Sequence, residues 1–283
     1  MFGGLFANAL YGIHQGQNLA RGLSPRLWGR AVHSALAPDG FGGGYFVGDD
    51  FRGFGIGTAV ATNVGYYISE AGTYYSFEDT GGAIAQLATE RTGAVRLSVD
   101  ADDNQETWLQ YGNATSVSGV ISDTAGDDKL LIFEARFRCS DVVGNRFIGL
   151  TEEGFAANDG LSDVGVLAAA KDYIGFYTAE GAPTTLKFGW QKASQTPVAL
   201  ATAATIAAST WYKVGFVYDP LAPPAKRIKY YVDNVEGATY GTATQIAAAT
   251  FPDAEELQPI FGVKNVTDIM LQDIDWWGMF QAD

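Results

Sequence analysis

From about Phe51 onward, apolar and polar positions alternate with a period of two. Leu131, Phe133, Ala135 and Phe137 alternate with Glu134, Arg136 and Arg138. Tyr212, Val214, Phe216 and Tyr218 alternate with Lys213, Gly215 and Val217, and Ile228, Tyr230 and Val232 with Lys229, Tyr231 and Asp233. The same spacing recurs in Leu186, Phe188 and Trp190 and in Val95, Leu97 and Val99. Successive side chains of a strand point to opposite faces, so this alternation predicts strands with one buried face. Long helical periods are absent, and only Val164–Lys171 would suit a short helix. Many such strands, punctuated by Gly and Asp turns, predict an all-β fold built as a two-sheet antiparallel sandwich.

Residues 1–50 follow another rule. Phe2, Leu5, Phe6, Leu10, Leu19, Leu27 and Trp28 are apolar but keep no sustained period. Both histidines, His14 and His33, lie here, and Pro38 with Gly42-Gly43-Gly44 reads as a hinge. Such a segment is too apolar to stay solvated and too short to build its own core. It must pack on its own sandwich or on a neighbouring subunit, which makes those seven residues the candidate partner-binding set. The predicted organisation is an extended N-terminal arm with a Gly-rich hinge over 1–50 and a sandwich over 51–283.

Composition narrows the partners. With 283 residues, 47% of them hydrophobic, a large core can be buried. A net charge of −14 repels phosphate backbones and argues against nucleic acid. The apolar stretch Met1–Leu10 has no Lys or Arg ahead of it, unlike a signal peptide. No run of about 18 apolar residues exists to cross a membrane as a helix. The single cysteine, Cys139, shares parity with Phe137 and reads as a buried thiol.

Catalytic sets are mostly missing. A nucleophilic triad needs a histidine, and residues 51–283 have none. Asp273 and Asp275, sharing a predicted strand face with Trp277, come nearest to a glycosidase carboxylate pair, and solvent-facing residues explain them as well. The stretch Asp100–Asn104 begins like a calcium loop, but Gln105 and Tyr111 stand where Gly and Glu are needed. Asp123, Asp127 and Asp128 flank Gly126 and are weak calcium candidates; no cofactor is expected. Trp108, Trp190 and Trp277 are candidates for stacking on sugar rings. Trp276 and Trp277 are adjacent, and parity with Ile274 assigns Trp276 to the core and Trp277 to the outside. By the same logic Tyr212 faces inward and Trp211 outward.

The stretch Thr210–Asp219 followed by Arg227–Asn234 resembles the Trp-Tyr strand and Val-Asp-Gly-like hairpin of concanavalin A-like and laminin-G-like jelly rolls, with Asn234 where that family usually has Gly. Leu271–Trp277 is similar to their last strand. The resemblance implies a jelly-roll sandwich. The layout of arm and body is also similar to virion structural proteins of tailed bacteriophages. That likeness implies a non-enzymatic capsid decoration or cement protein, or a tail component, assembled in the host cytoplasm. Its partners would be capsid or tail subunits and further copies of itself. The alternative is a carbohydrate-binding adhesin or lectin-like module that takes a cell-surface glycan. A glycan-cleaving enzyme ranks third.

Overall fold

The computed structural model describes residues 23–28, 44–51, 53–61, 64–69, 71–87, 93–112, 119–124, 127–153, 160–161, 171–266 and 268–282. Two antiparallel sheets face each other. Strands are numbered in chain order. The first sheet runs β16 (Val235–Glu236), β15 (Ile228–Val232), β14 (Trp211–Tyr218), β9 (Leu131–Cys139), β18 (Met270–Ala282), β6 (Val95–Val99) and β5 (Ala83–Gln86). Here β1 (Gly44–Asp49) also pairs with β18. The second sheet runs β13 (Val198–Thr205), β12 (Ala182–Gln191), β11 (Tyr173–Ala179), β10 (Asn145–Glu152), β17 (Glu256–Lys264), β7 (Glu106–Tyr111), β4 (Thr73–Glu78), β3 (Val64–Ile68) and β2 (Gly55–Ala61), with β8 (Gly119–Val120) paired to β17. This is the all-β sandwich that the period-two pattern predicts.

The alternation places the core. Phe133, Phe137, Val214 and Phe216 of the first sheet are buried against Ile148, Phe176, Phe188 and Phe261 of the second. Cys139 belongs to the same cluster. Tyr212 packs against it from its edge, and Trp211 lies on the outer face under the guanidinium groups of Arg136 and Arg138.

Two expectations change. Strand pairing begins at Gly44, inside the segment expected to be an arm: Tyr45 and Val47 pack on the core, and Asp49 accepts a hydrogen bond from Tyr74 at 2.7 Å. The second correction concerns Trp276 and Trp277. The register between β18 and β9 shifts between Ile274 and Trp276. The extra residue reverses the parity beyond it. Trp277 therefore returns to the core, 2% exposed, and Trp276 pairs with the outward-facing Arg136. The same irregularity divides one edge of β18, with β6 on Met270–Ile274 and β1 on Trp277–Ala282.

Candidate functional site

A cavity of about 560 Å³ opens at one end of the sandwich, lined by Asp123, Asp128, Tyr218, Arg227, Thr244 and the apolar face of a short helix, Ala243–Ile246. Local chemistry fixes each wall. Thr242 and Gln245 cap the helix reciprocally, each side chain accepting the other's backbone N–H. The Asp219 carboxylate accepts the N–H of Leu221 and turns the chain after β14. The Asp123 N–H donates to the Asp253 carboxylate at 3.1 Å. Tyr218 donates its hydroxyl to the Ser122 carbonyl at 2.6 Å and serves as a buried wall. Burial, with Asp128 next, pushes that phenol up to about 12, so it stays neutral. Among the described residues the buried Arg227 Nε–H has no hydrogen-bond partner. Carboxylates that accept and a guanidinium that donates, set in one recess, suit a neutral ligand carrying several hydroxyls.

Of the three calcium candidates, Asp123 and Asp128 reach this cavity, whereas Asp127 is exposed and is not among its lining residues. Among the described residues no group of three or more His, Cys, Asp or Glu side chains is placed to hold a metal. None of the three tryptophans offers a ring to a sugar. Trp190 lies in the core against Phe251. Trp277 donates its indole N–H to Tyr74 at 2.8 Å. Trp108, on the outer face of the second sheet, is covered and belongs to a buried cluster with Phe147, Tyr173 and Leu161. Strand alternation with Leu186 and Phe188 identifies only Trp190 as buried-face material; it puts Trp277 outside, and nothing in the local sequence distinguishes the covered outer ring of Trp108 from an open one. Asp273 and Asp275 are tied in ion pairs, the first to Arg96 and Arg138 and the second to Arg136.

Of the arm residues, Leu27 and Trp28 pack on the outer face of the first sheet of their own chain. Phe2, Leu5, Phe6, Leu10 and Leu19 lie outside the described residues, as do His14, His33 and residues 164–170 of the expected short helix.

Two buried carboxylates escaped the sequence reading. Glu134 on β9 is 1% exposed and accepts the Ser24 N–H at 2.9 Å and the Trp28 indole N–H at 2.7 Å. Glu106 on β7 is fully buried and accepts the Trp108 indole N–H and the N–H groups of Gly160 and Leu161 at 2.8, 2.8 and 3.1 Å. Burial raises both carboxyls, Glu106 to about 7, while their hydrogen bonds and the nearby Lys213 and Lys264 oppose the rise. Each donor segment is distant in sequence or lies in a loop, so neither strand carries a local signal of burial.

The sequence matches no family model and no curated protein. Solved structures do match. A peanut lectin with a 9mer peptide shares 14% identity, with 84% of this chain and 97% of that chain covered and a TM-score of 0.51. The Emp47p carbohydrate recognition domain follows at 13% identity, 84% and 96% coverage and a TM-score of 0.49. An endo-β-1,4-glucuronan lyase from Trichoderma reesei gives 11% identity, 72% and 89% coverage and a TM-score of 0.49. At such identities a likeness speaks of fold alone. The fold of this chain is the two-sheet jelly-roll sandwich of the lectin and concanavalin-like type.

Proposed function

We propose that this chain is a lectin-like carbohydrate-binding module without catalytic turnover, and that the cavity at Asp123, Asp128 and Arg227 is its sugar site. The observation that carries the reading is that the Arg227 guanidinium and the Asp123 and Asp128 carboxylates line one recess of about 560 Å³. Vicinal sugar hydroxyls donate to carboxylates and accept from guanidinium groups, so one hexose edge can use both signs of the site. The cavity also has the size of small-ligand sites, which run from about 300 to 1,000 Å³. The fold shared with a peanut lectin supports the same reading. The virion reading rests on an arm that seeks neighbours, and Leu27 and Trp28 find their contacts inside the chain.

Screening on an array of neutral, amino and acidic glycans, followed by calorimetric titration, tests the proposal. Binding to a neutral glycan is expected. Asp123→Asn and Arg227→Ala should each weaken it at least tenfold, about 1.4 kcal/mol, with little change in thermal midpoint. Unchanged affinity in both variants rejects the pocket. An array without any bound glycan rejects the function.

A further inference from the structure

The outer face of the first sheet carries a socket that fits one short segment closely. Ser24 starts a single helical turn, with the Leu27 and Trp28 N–H groups donating to its carbonyl at 3.1 and 3.0 Å. Pro25 takes the first position of that turn, where its missing N–H costs nothing. Leu27 fits over Gly215, where an added Cβ would come within 2.7 Å of its Cδ1. Trp28 fits over Gly278, where an added Cβ would lie 3.4 Å from the indole, and Phe46 of β1 meets the ring edge-on at 5.5 Å between centroids. Glu134 takes both the Ser24 N–H and the indole N–H, and Asn234 accepts the Arg26 N–H at 3.1 Å.

We propose that this socket is a peptide-recognition site that accepts the Ser24–Trp28 segment of a second copy as well as the segment of its own chain. All the docking contacts above, apart from those within the turn, join the segment to the sheet, so they are the same whichever chain supplies the segment. Exchange of an identical element between copies conserves contacts and changes only the entropy of connection. The tether is long enough. Residues 29–43 supply fifteen positions between Trp28 and Gly44, a reach of roughly 50 Å at ~3.3 Å per residue. That exceeds the radius of gyration of about 19 Å for a domain of this size. The short tether also favours docking within one chain in dilute solution, because it holds the segment at high effective concentration. Exchange then shows most clearly when a chain cannot fill its own socket.

Complementation between two full-length variants tests this. Trp28→Ala spoils the segment and keeps the socket. Gly278→Leu fills the Trp28 position and keeps the segment; the three atoms nearest an added Cβ there are side-chain atoms of Phe46 and Trp28 at 3.2–3.4 Å. Each variant alone should sediment as a monomer, and an equimolar mixture at about 100 µM should hold at least tenfold more dimer. A mixture that sediments like its components, with both variants showing the parent's circular dichroism and a cooperative melt, overturns the proposal. A second measurement covers the case that Gly278→Leu misfolds. A fluorescent peptide of residues 23–29 should bind Trp28→Ala at least tenfold more tightly than the parent chain, and a scrambled peptide should not. No binding at 1 mM also overturns it.

Discussion

The outer faces of the two sheets solve one problem in two ways. Each is partly covered by a short stretch of chain, and each buries a carboxylate that receives backbone N–H from that stretch together with an indole N–H. On the first sheet Glu134 takes Ser24 and Trp28; on the second Glu106 takes Gly160, Leu161 and Trp108. Each has a lysine nearby, Lys213 and Lys264 respectively. The difference is where the tryptophan resides. Trp28 belongs to the covering segment, whereas Trp108 stands on the sheet two residues from its own carboxylate. Lifting the first segment removes the ring and its donor together. On the second sheet the ring and the carboxylate stay paired, and the Lys264 ammonium holds the covering segment by donating to the Leu161 carbonyl at 2.9 Å. A covering that brings its own anchor can leave; one that docks on a fixed anchor is part of the sheet.

Truncating each ring sharpens that contrast most. Trp108→Ala removes a fully buried ring from a β7 position flanked by β4 and β17. It should cost about 3–5 kcal/mol through lost transfer energy and an unfilled cavity. Trp28→Ala removes a ring of equal size, 3% exposed. Here the chain can undock the segment, so the loss saturates at the net docking free energy, on the order of 2 kcal/mol for one turn and two buried side chains. Urea midpoints with unchanged slopes would measure both. Equal losses would mean that the first segment is as much a part of the sandwich as β7.

The carboxylates give the next effect. Glu106 is raised in the fold from its ordinary 4.5 to about 7. Between those values the native state holds a proton that the unfolded chain has released. Its contribution is therefore complete below about pH 4.5, is lost as the pH rises through 7, and is flat above that. At one pKa unit per 1.36 kcal/mol, the span is on the order of 3 kcal/mol. Glu106→Gln should remove that slope, measured as the difference in unfolding free energy between parent and variant from pH 5 to pH 8. Glu134 is also raised by burial, so Glu134→Gln should remove a slope of the same sign. A parent that instead loses stability relative to the variant as the pH falls would mean that both carboxylates are held ionised by their donors.

How much of this was legible follows from what each signal can reach. Alternation in 131–137, 212–218 and 228–232 identified strands and faces, because a two-residue period depends only on the strand itself. It failed at Trp276 and Trp277, where a register shift set by pairing with β9 reversed the parity. It also passed over β1, whose Gly-Tyr-Phe-Val-Gly-Asp string alternates around Phe46 but sits beside a glycine triplet that reads as a hinge. Glu134 lies 110 residues from Ser24, and in its own strand it reads like the outward-facing arginines that follow it. Asp123 and Asp128 were singled out for metal, and Arg227, from a distant loop, is what turns their turn into a mixed-charge recess.

The smallest effect concerns the part of the first sheet's outer face that lies over Trp211. There the ring is stacked under Arg136 and Arg138, with guanidinium carbons 4.2 and 4.5 Å from the ring centroid. Its neighbour Tyr212 faces inward, 6.0 Å from Phe137 between centroids, and accepts the Ala207 N–H at 2.9 Å. A cation over a partly exposed ring contributes about 0.5–1 kcal/mol. Both arginines keep their aspartate partners when the ring is removed, so no charge is left buried and alone. Trp211→Ala should therefore cost about 1 kcal/mol. Tyr212→Ala, which opens the core edge, should cost about 2 kcal/mol. Chemical denaturation midpoints of the two variants decide between them. A larger loss for Trp211 would show that the arginine layer covers this face as firmly as the short segments cover theirs, and the distinction between removable and fixed coverings would then not extend to side chains.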